Sequence, residues 1–153
     1  MNINIVEIKS KELIYQYLSK YNNCFPESID YRVGDLYAYS EKLFKYAYTF
    51  VAQKDSETLG IIILYANDNK TCEAFITMIA VDMNYNAQGI GSALFEKCEE
   101  ICFQSGMKYL KLEVDKENSN AIRFYAKRGF IYFSEASKNT IYLRKELHYV
   151  KMD

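Results

Sequence analysis

Apolar and polar positions change period several times along the chain, and each change marks an element. Ile3 to Ile8 alternates as a first strand. Ser10 can cap a helix from Lys11 to about Asn22, with Leu13, Tyr17 and Tyr21 on one face. Asn22 to Gly34 holds Pro26 and several polar residues and reads as a loop. A second helix is predicted from about Asp35 to Ala47, with Leu36, Tyr39, Leu43 and Phe44 inward. Tyr48–Lys54, Leu59–Ala66 and Ala74–Val81 read as strands joined by turns at Lys54–Glu57 and Asn67–Lys70, an antiparallel meander. The period then returns to that of a helix. Gly89 to about Ser105 carries Ile90, Leu94, Cys98, Ile101 and Cys102 on one face, and Gly106 ends it. Tyr109–Val114 alternates again, Asn118 can cap a short helix to Arg128, and Gly129-Phe130 closes that helix. Ile131–Phe133 and Thr140–Leu143 are the last strands. This order predicts an α/β (α+β) fold: a mixed, mainly antiparallel sheet of about seven strands with helices on both faces.

At 153 residues the chain is expected to form one domain over 1–153. A net charge of −1 leaves no electrostatic footprint for nucleic acid or an anionic membrane. No run of 18 apolar residues suggests a membrane span. Met1 to Lys9 lacks the apolar core of a signal peptide, so a cytoplasmic location is expected. Cys24, Cys72, Cys98 and Cys102 form no C-x-x-C pair, and His148 is the one histidine. Buried reduced thiols are therefore expected, with no metal.

The chemically informative segment is Val81 to Leu94, where a strand leads through a short loop to Gly89 and Gly91 at a helix start. The first amides of a helix have no internal partner, and its dipole favours an anion there. A phosphate-binding P-loop would need Lys and then Ser or Thr after its last glycine, but Ser92 and Ala93 follow Gly91. A Rossmann fingerprint would want Gly or Ala where Leu94 stands. Two glycines that merely begin a packed helix are the plain alternative.

Several further elements follow in order: Ile79-Ala80-Val81, Gly89-Ile90-Gly91, Leu112-Glu113-Val114, Asn118-x-x-Ala121-Ile122-x-Phe124-Tyr125 and Gly129-Phe130. Together they resemble the GNAT superfamily of acetyl-CoA-dependent N-acetyltransferases. The match is strong from about Ile79 to Phe130. Its spacing is similar to the branch that acetylates protein N-termini, such as the ribosomal-protein alanine acetyltransferases. One position departs: Asn86 stands where the family usually has Arg or Gln. The resemblance implies that the backbone of Ile79, Ala80 and Val81 pairs with the pantetheine arm as an added strand would. Ala87, Gln88, Gly89, Ile90, Gly91 and Ser92 would hold the pyrophosphate, Asn118 would bond the pantetheine, and Tyr125 would contact the cofactor as the general acid.

The reaction so implied moves acetyl from acetyl-CoA to a primary amine by direct attack, through a tetrahedral intermediate. An amine of pKa near 10.4 needs about 4–5 kcal/mol to deprotonate at pH 7, which calls for a base. Glu113 is the candidate, with Glu73 and Asp82 as weaker ones. The alternative for Glu113 is a solvent-facing or lysine-paired carboxylate. Tyr125, protonated at pH 7, would donate to the leaving thiolate, and its alternative is a core tyrosine. The Val81 amide would meet the oxyanion. A small-molecule amine is the expected acceptor. A protein N-terminus and a non-catalytic acyl-CoA-binding module are the alternatives. Acceptor specificity is expected in Asn22–Tyr39, with Asp30, Tyr31, Asp35, Tyr37 and Tyr39, and around Ala136–Asn139. The C-terminal strands offer a surface for a homodimer.

Overall fold

Strands form where the period is two. They are β1 (Asn4–Glu7), β2 (Tyr48–Lys54), β3 (Glu57–Tyr65), β4 (Glu73–Val81), β5 (Tyr109–Asp115), β6 (Ile131–Glu135) and β7 (Thr140–Glu146). Helices α1 (Lys11–Tyr21), α2 (Ile29–Val33), α3 (Leu36–Tyr46), α4 (Ile90–Gln104) and α5 (Ser119–Ala126) intervene. The structure, a computed structural model, describes residues 2–82 and 89–148. The strands are hydrogen-bonded in the order β1-β2-β3-β4-β5-β7-β6, a seven-stranded mixed sheet of the α/β class. β4 and β5 run parallel, whereas β1–β2, β2–β3, β5–β7 and β6–β7 are antiparallel. The fold divides into two compact units, Met1–Leu64 with Met78–Cys98, and Tyr65–Thr77 with Glu99–Asp153.

In the first unit, Thr49–Ala52 and Leu59–Leu64 are buried at consecutive positions, so β2 and β3 are covered on both faces. Asp55 and Ser56, at φ 51° and 67°, form the two-residue turn between them, as a tight hairpin requires. The Ser10 hydroxyl accepts from Leu13 N and caps α1. The buried stripe of α1 is Ile14, Leu18 and Tyr21, whereas Leu13 is 42% exposed and Tyr17 half-buried. The expected face is thus displaced by one residue, because Ile14 and Leu18 present more apolar surface than Tyr17. Leu43 is buried in α3, but Phe44 is 49% exposed rather than inward. The expected loop Asn22–Gly34 contains α2, whose Ile29 is buried. That single apolar anchor is too little for periodicity to reveal.

In the second unit, Leu110, Leu112 and Val114 of β5 are buried and alternate with half-buried Tyr109, Lys111, Glu113 and Asp115. β7 lies between β5 and β6. The β6–β7 register shifts between Tyr132 and Ser134, a bulge that leaves Phe133 as the extra residue. The Phe133 ring lies against the Arg144 and Lys111 cations, 4.8 and 5.6 Å from its centroid. Ile90, Leu94, Cys98, Ile101 and Cys102 of α4 are all buried, and Gly106 follows at φ 74°. Only Cys98 and Cys102 meet the expectation of buried thiols; Cys24 is exposed and Cys72 half-buried.

Candidate functional site

The end of β4 is held by β3. Asp82 N donates to Leu59 O at 2.9 Å. Amides alternate in direction along a strand, so the Val81 N–H points away from β3. Gly60 of β3 lets this approach happen: a Cβ there would lie 2.9 Å from Ala80 O, 3.1 Å from Ile90 Cγ2 and 3.3 Å from Leu94 Cδ1. Ile79, Ala80 and Val81 are half-buried. Gly60 therefore seats both β4 and the first turn of α4, a role that sequence inspection missed. Its only signal was a lone glycine inside an apolar strand.

α4 opens at Gly89, whose φ of 77° lies in the left-handed region that favours glycine. Ala93 N donates to Gly89 O at 3.0 Å, so Ile90, Gly91 and Ser92 occupy the first helical positions. They stand at the end of the helix where the dipole favours an anion. Ile90 and Gly91 are buried and Ser92 is half-buried. Ala87, Gln88 and Asn86 lie outside the described residues.

Asp82 is engaged structurally. Tyr21 Oη donates to its Oδ1 at 3.0 Å, and Lys20 Nζ lies 3.7 Å from Oδ2. Burial first, and the bond to Asp82 second, push the Tyr21 phenol far up. Glu73 is also engaged: Lys111 Nζ lies 3.0 Å from one oxygen, and Arg144 Nε 2.9 Å from the other. The Arg144 contact is an ion pair without hydrogen-bond alignment. Neither carboxylate is placed as a free base. Asp35 caps α3, accepting from Tyr37 N and Ala38 N, and the Ser28 hydroxyl holds the Asp30 carboxyl below its usual range. Asp30 and Asp35, the two acids singled out in the expected acceptor loop, thus serve local turns.

Glu113 stands mid-strand in β5, opposite Tyr142 of β7. Its Oε2 accepts from the Thr140 hydroxyl at 2.7 Å. The residue is half-buried, so this bond and partial exposure to solvent occur together. Asn118 caps α5: its Oδ1 accepts from Ala121 N at 3.1 Å. Only its Nδ2 remains as an outward donor. Tyr125 is buried, with its ring edge-on to Phe124 and to Phe130, at centroid distances of 5.6 and 5.8 Å. Burial pushes its phenol up to about 12. Gly129, at φ 94°, turns the chain so that Phe130 N reaches Tyr125 O at 3.2 Å. The second unit thus holds Glu113, Asn118 and Tyr125, and the first holds Ile79–Val81 and Gly89–Ser92.

A cavity of about 540 Å³ in the first unit is lined by Lys9, Lys11, Lys42, Lys45 and Phe44 among others, and includes no expected site residue. No helix among the described residues is long and apolar enough to cross a membrane.

A family model described as "Acetyltransferase (GNAT) family" matches residues 12–130. The uncharacterised protein YxbD of Bacillus subtilis (strain 168) is 37% identical over 76 residues, 50% of this chain and 45% of that protein. N-alpha-acetyltransferase 30 of Schizosaccharomyces pombe is 26% identical over 100 residues, 60% of this chain and 67% of that one. The chain spans about half the length of curated relatives such as YxbD. Among solved structures, the PaiA N-acetyltransferase of Thermoplasma acidophilum, in complex with coenzyme A, aligns with a TM-score of 0.74 at 22% identity. The alignment covers 96% of this chain and 100% of that one. That likeness is one of fold.

Proposed function

The chain belongs to the acetyltransferase (GNAT) family, and from that premise we propose that it transfers acetyl from acetyl-CoA to a primary amine of a small molecule. The observation that carries this reading is the start of α4. Gly89 in the left-handed region, leading directly into the first turn of a helix whose N-terminal dipole end favours negative charge, suits the diphosphate of a CoA thioester. In the first unit, Gly89 to Ser92 would hold that diphosphate, joined by Ala87 and Gln88. Ile79, Ala80 and Val81 would pair with the pantetheine, with the Val81 N–H as oxyanion donor. In the second unit, Asn118 Nδ2 would donate to the pantetheine, and Glu113 would accept the amine proton.

Tyr125 would meet the leaving thiolate, and its environment refines the role. A phenol pushed up to about 12 stays protonated at neutral pH. Full transfer to a thiolate of pKa about 8.5 is then uphill by roughly 5 kcal/mol. Tyr125 is accordingly a hydrogen-bond donor to the developing thiolate first, and a proton donor only as that charge becomes desolvated.

Tyr125→Phe tests the reading. Acetyl-CoA binding, followed by calorimetry, should persist, while turnover, followed by CoA release, should fall on the order of 100-fold. Unchanged turnover removes Tyr125 from the reaction, and no binding of acetyl-CoA by the parent protein removes the proposed function. A second reading, transfer to a peptide N-terminus, is favoured by the similarity to N-alpha-acetyltransferase 30. Parallel assays with short peptides and with polyamines or amino sugars separate the two.

A further inference from the structure

We propose that Thr140 and Ser137, on and beside β7, are positioning residues for the Glu113 carboxylate. The inference rests on the reading of Glu113 as the base. Thr140 Oγ1 donates to Glu113 Oε2 at 2.7 Å, and Ser137 Oγ lies 2.6 Å from Thr140 Oγ1. A hydroxyl has one proton, and an ionised carboxylate only accepts. Thr140 has committed its proton to Glu113, so Ser137 donates to Thr140. Asn139 N in turn donates to Ser137 Oγ at 3.3 Å. The direction of the whole chain, Asn139 to Ser137 to Thr140 to Glu113, is fixed by the acceptor at its end.

The turn that carries these groups is itself clamped. Ala136 N and Ser137 N both donate to Thr140 O, at 3.0 and 3.2 Å, and Lys116 N donates to Asn139 O at 2.9 Å. Glutamate is flexible, and a half-buried one without an anchor would sample several rotamers. With Oε2 anchored, Oε1 is the oxygen left to accept a proton from an amine. The turn at Ala136–Asn139 thus reaches the reaction through the base.

The experiment uses the full chain with Thr140→Val, Thr140→Ser, Ser137→Ala and Glu113→Gln, and the double variant of Thr140→Val with Glu113→Gln. Valine keeps the branched shape and strand preference of threonine. Ser137 is exposed, so its truncation leaves packing intact. Thr140→Val should lower kcat on the order of 10-fold, with a smaller change in KM for acetyl-CoA. Thr140→Ser should restore most of it, and Ser137→Ala should show a partial loss. In the Glu113→Gln background, Thr140→Val should add nothing, as for two groups acting as one. Full turnover in Glu113→Gln would sink the base reading and this proposal with it. Loss in Glu113→Gln with full turnover in Thr140→Val would overturn the proposal alone. An equal loss from Thr140→Val in both backgrounds would also overturn it, marking Thr140 as structural.

Discussion

Replacing Gly60 by alanine tests whether the seat of β4 and α4 is as tight as it looks. The added methyl would lie 2.9 Å from a backbone oxygen, Ala80 O, and 3.1 and 3.3 Å from Ile90 Cγ2 and Leu94 Cδ1. The two side chains can give by a few tenths of an ångström. The carbonyl belongs to a strand already tied to β3 through Asp82 N and Leu59 O, so its yielding moves the strand. Overpacking of this kind costs roughly 1–3 kcal/mol. Alanine also removes freedom from the unfolded chain, which offsets about 0.4–1 kcal/mol. The clash prevails, with a net loss of about 1–2 kcal/mol, or a fall in Tm of roughly 2–8 °C at this chain length. The displaced atoms lie among Ile79–Val81 and the first turn of α4, so acetyl-CoA affinity should fall together with Tm. Thermal unfolding and calorimetry on the same preparation measure both. A variant with parental Tm and parental affinity would refute the close-approach argument. A lowered Tm with unchanged affinity would separate the packing from the proposed binding role.

Alkaline stability should report Tyr125. Its phenol is raised to about 12 from about 10 unfolded, so the folded state holds a proton that the unfolded state releases between these values. Stability is unaffected below pH 10 and falls by about 1.4 kcal/mol per pH unit from there to pH 12; urea midpoints should fall less steeply in Tyr125→Phe. Tyr21, raised for the same first cause, adds in the same direction. Glu73→Ala would strip one carboxylate from two partly buried cations, Lys111 and Arg144. A loss on the order of 2 kcal/mol is expected, below the 3–5 of a fully buried pair, and a denaturation midpoint equal to the parent's would contradict it. Asn118→Ala should lower stability by about 1 kcal/mol through the lost cap. Asn118→Asp keeps the cap and loses the Nδ2 donor, so weaker acetyl-CoA binding with parental Tm would point to a ligand contact.

Legibility in the sequence followed the range of the interaction. The Ser10 and Asn118 caps, the Asp55-Ser56 turn and Gly129-Phe130 involve neighbours within a few residues, and residue type alone indicates them. The buried face of α4 was legible because five apolar residues keep one period. α1 was misjudged because Leu13 and Ile14 are both apolar, and only packing decides which turns inward. The placement of β7 between β5 and β6 leaves no local trace. For that reason Glu113 was readable as a candidate base, while the Thr140 hydroxyl that holds it, 27 residues away, was not. The weaker candidates, Glu73 and Asp82, are engaged by cationic and phenolic partners far from them in sequence, which no local pattern reveals.

The bulge in β6 has a consequence for solubility. β6 is a sheet edge, and Ile131 is 71% exposed there, beside exposed Tyr132 and Phe133. A flat apolar edge of this composition is a template on which another extended chain can grow. The extra residue at Phe133 breaks the spacing of the outward amides and carbonyls and turns that ring onto Arg144 and Lys111. An incoming strand therefore finds no continuous row of partners. The same irregularity that adds an aromatic ring to the β5–β7 face thus offers an incoming chain a broken edge, and deleting one residue to straighten β6 is expected to raise aggregation of the folded chain, as read by light scattering.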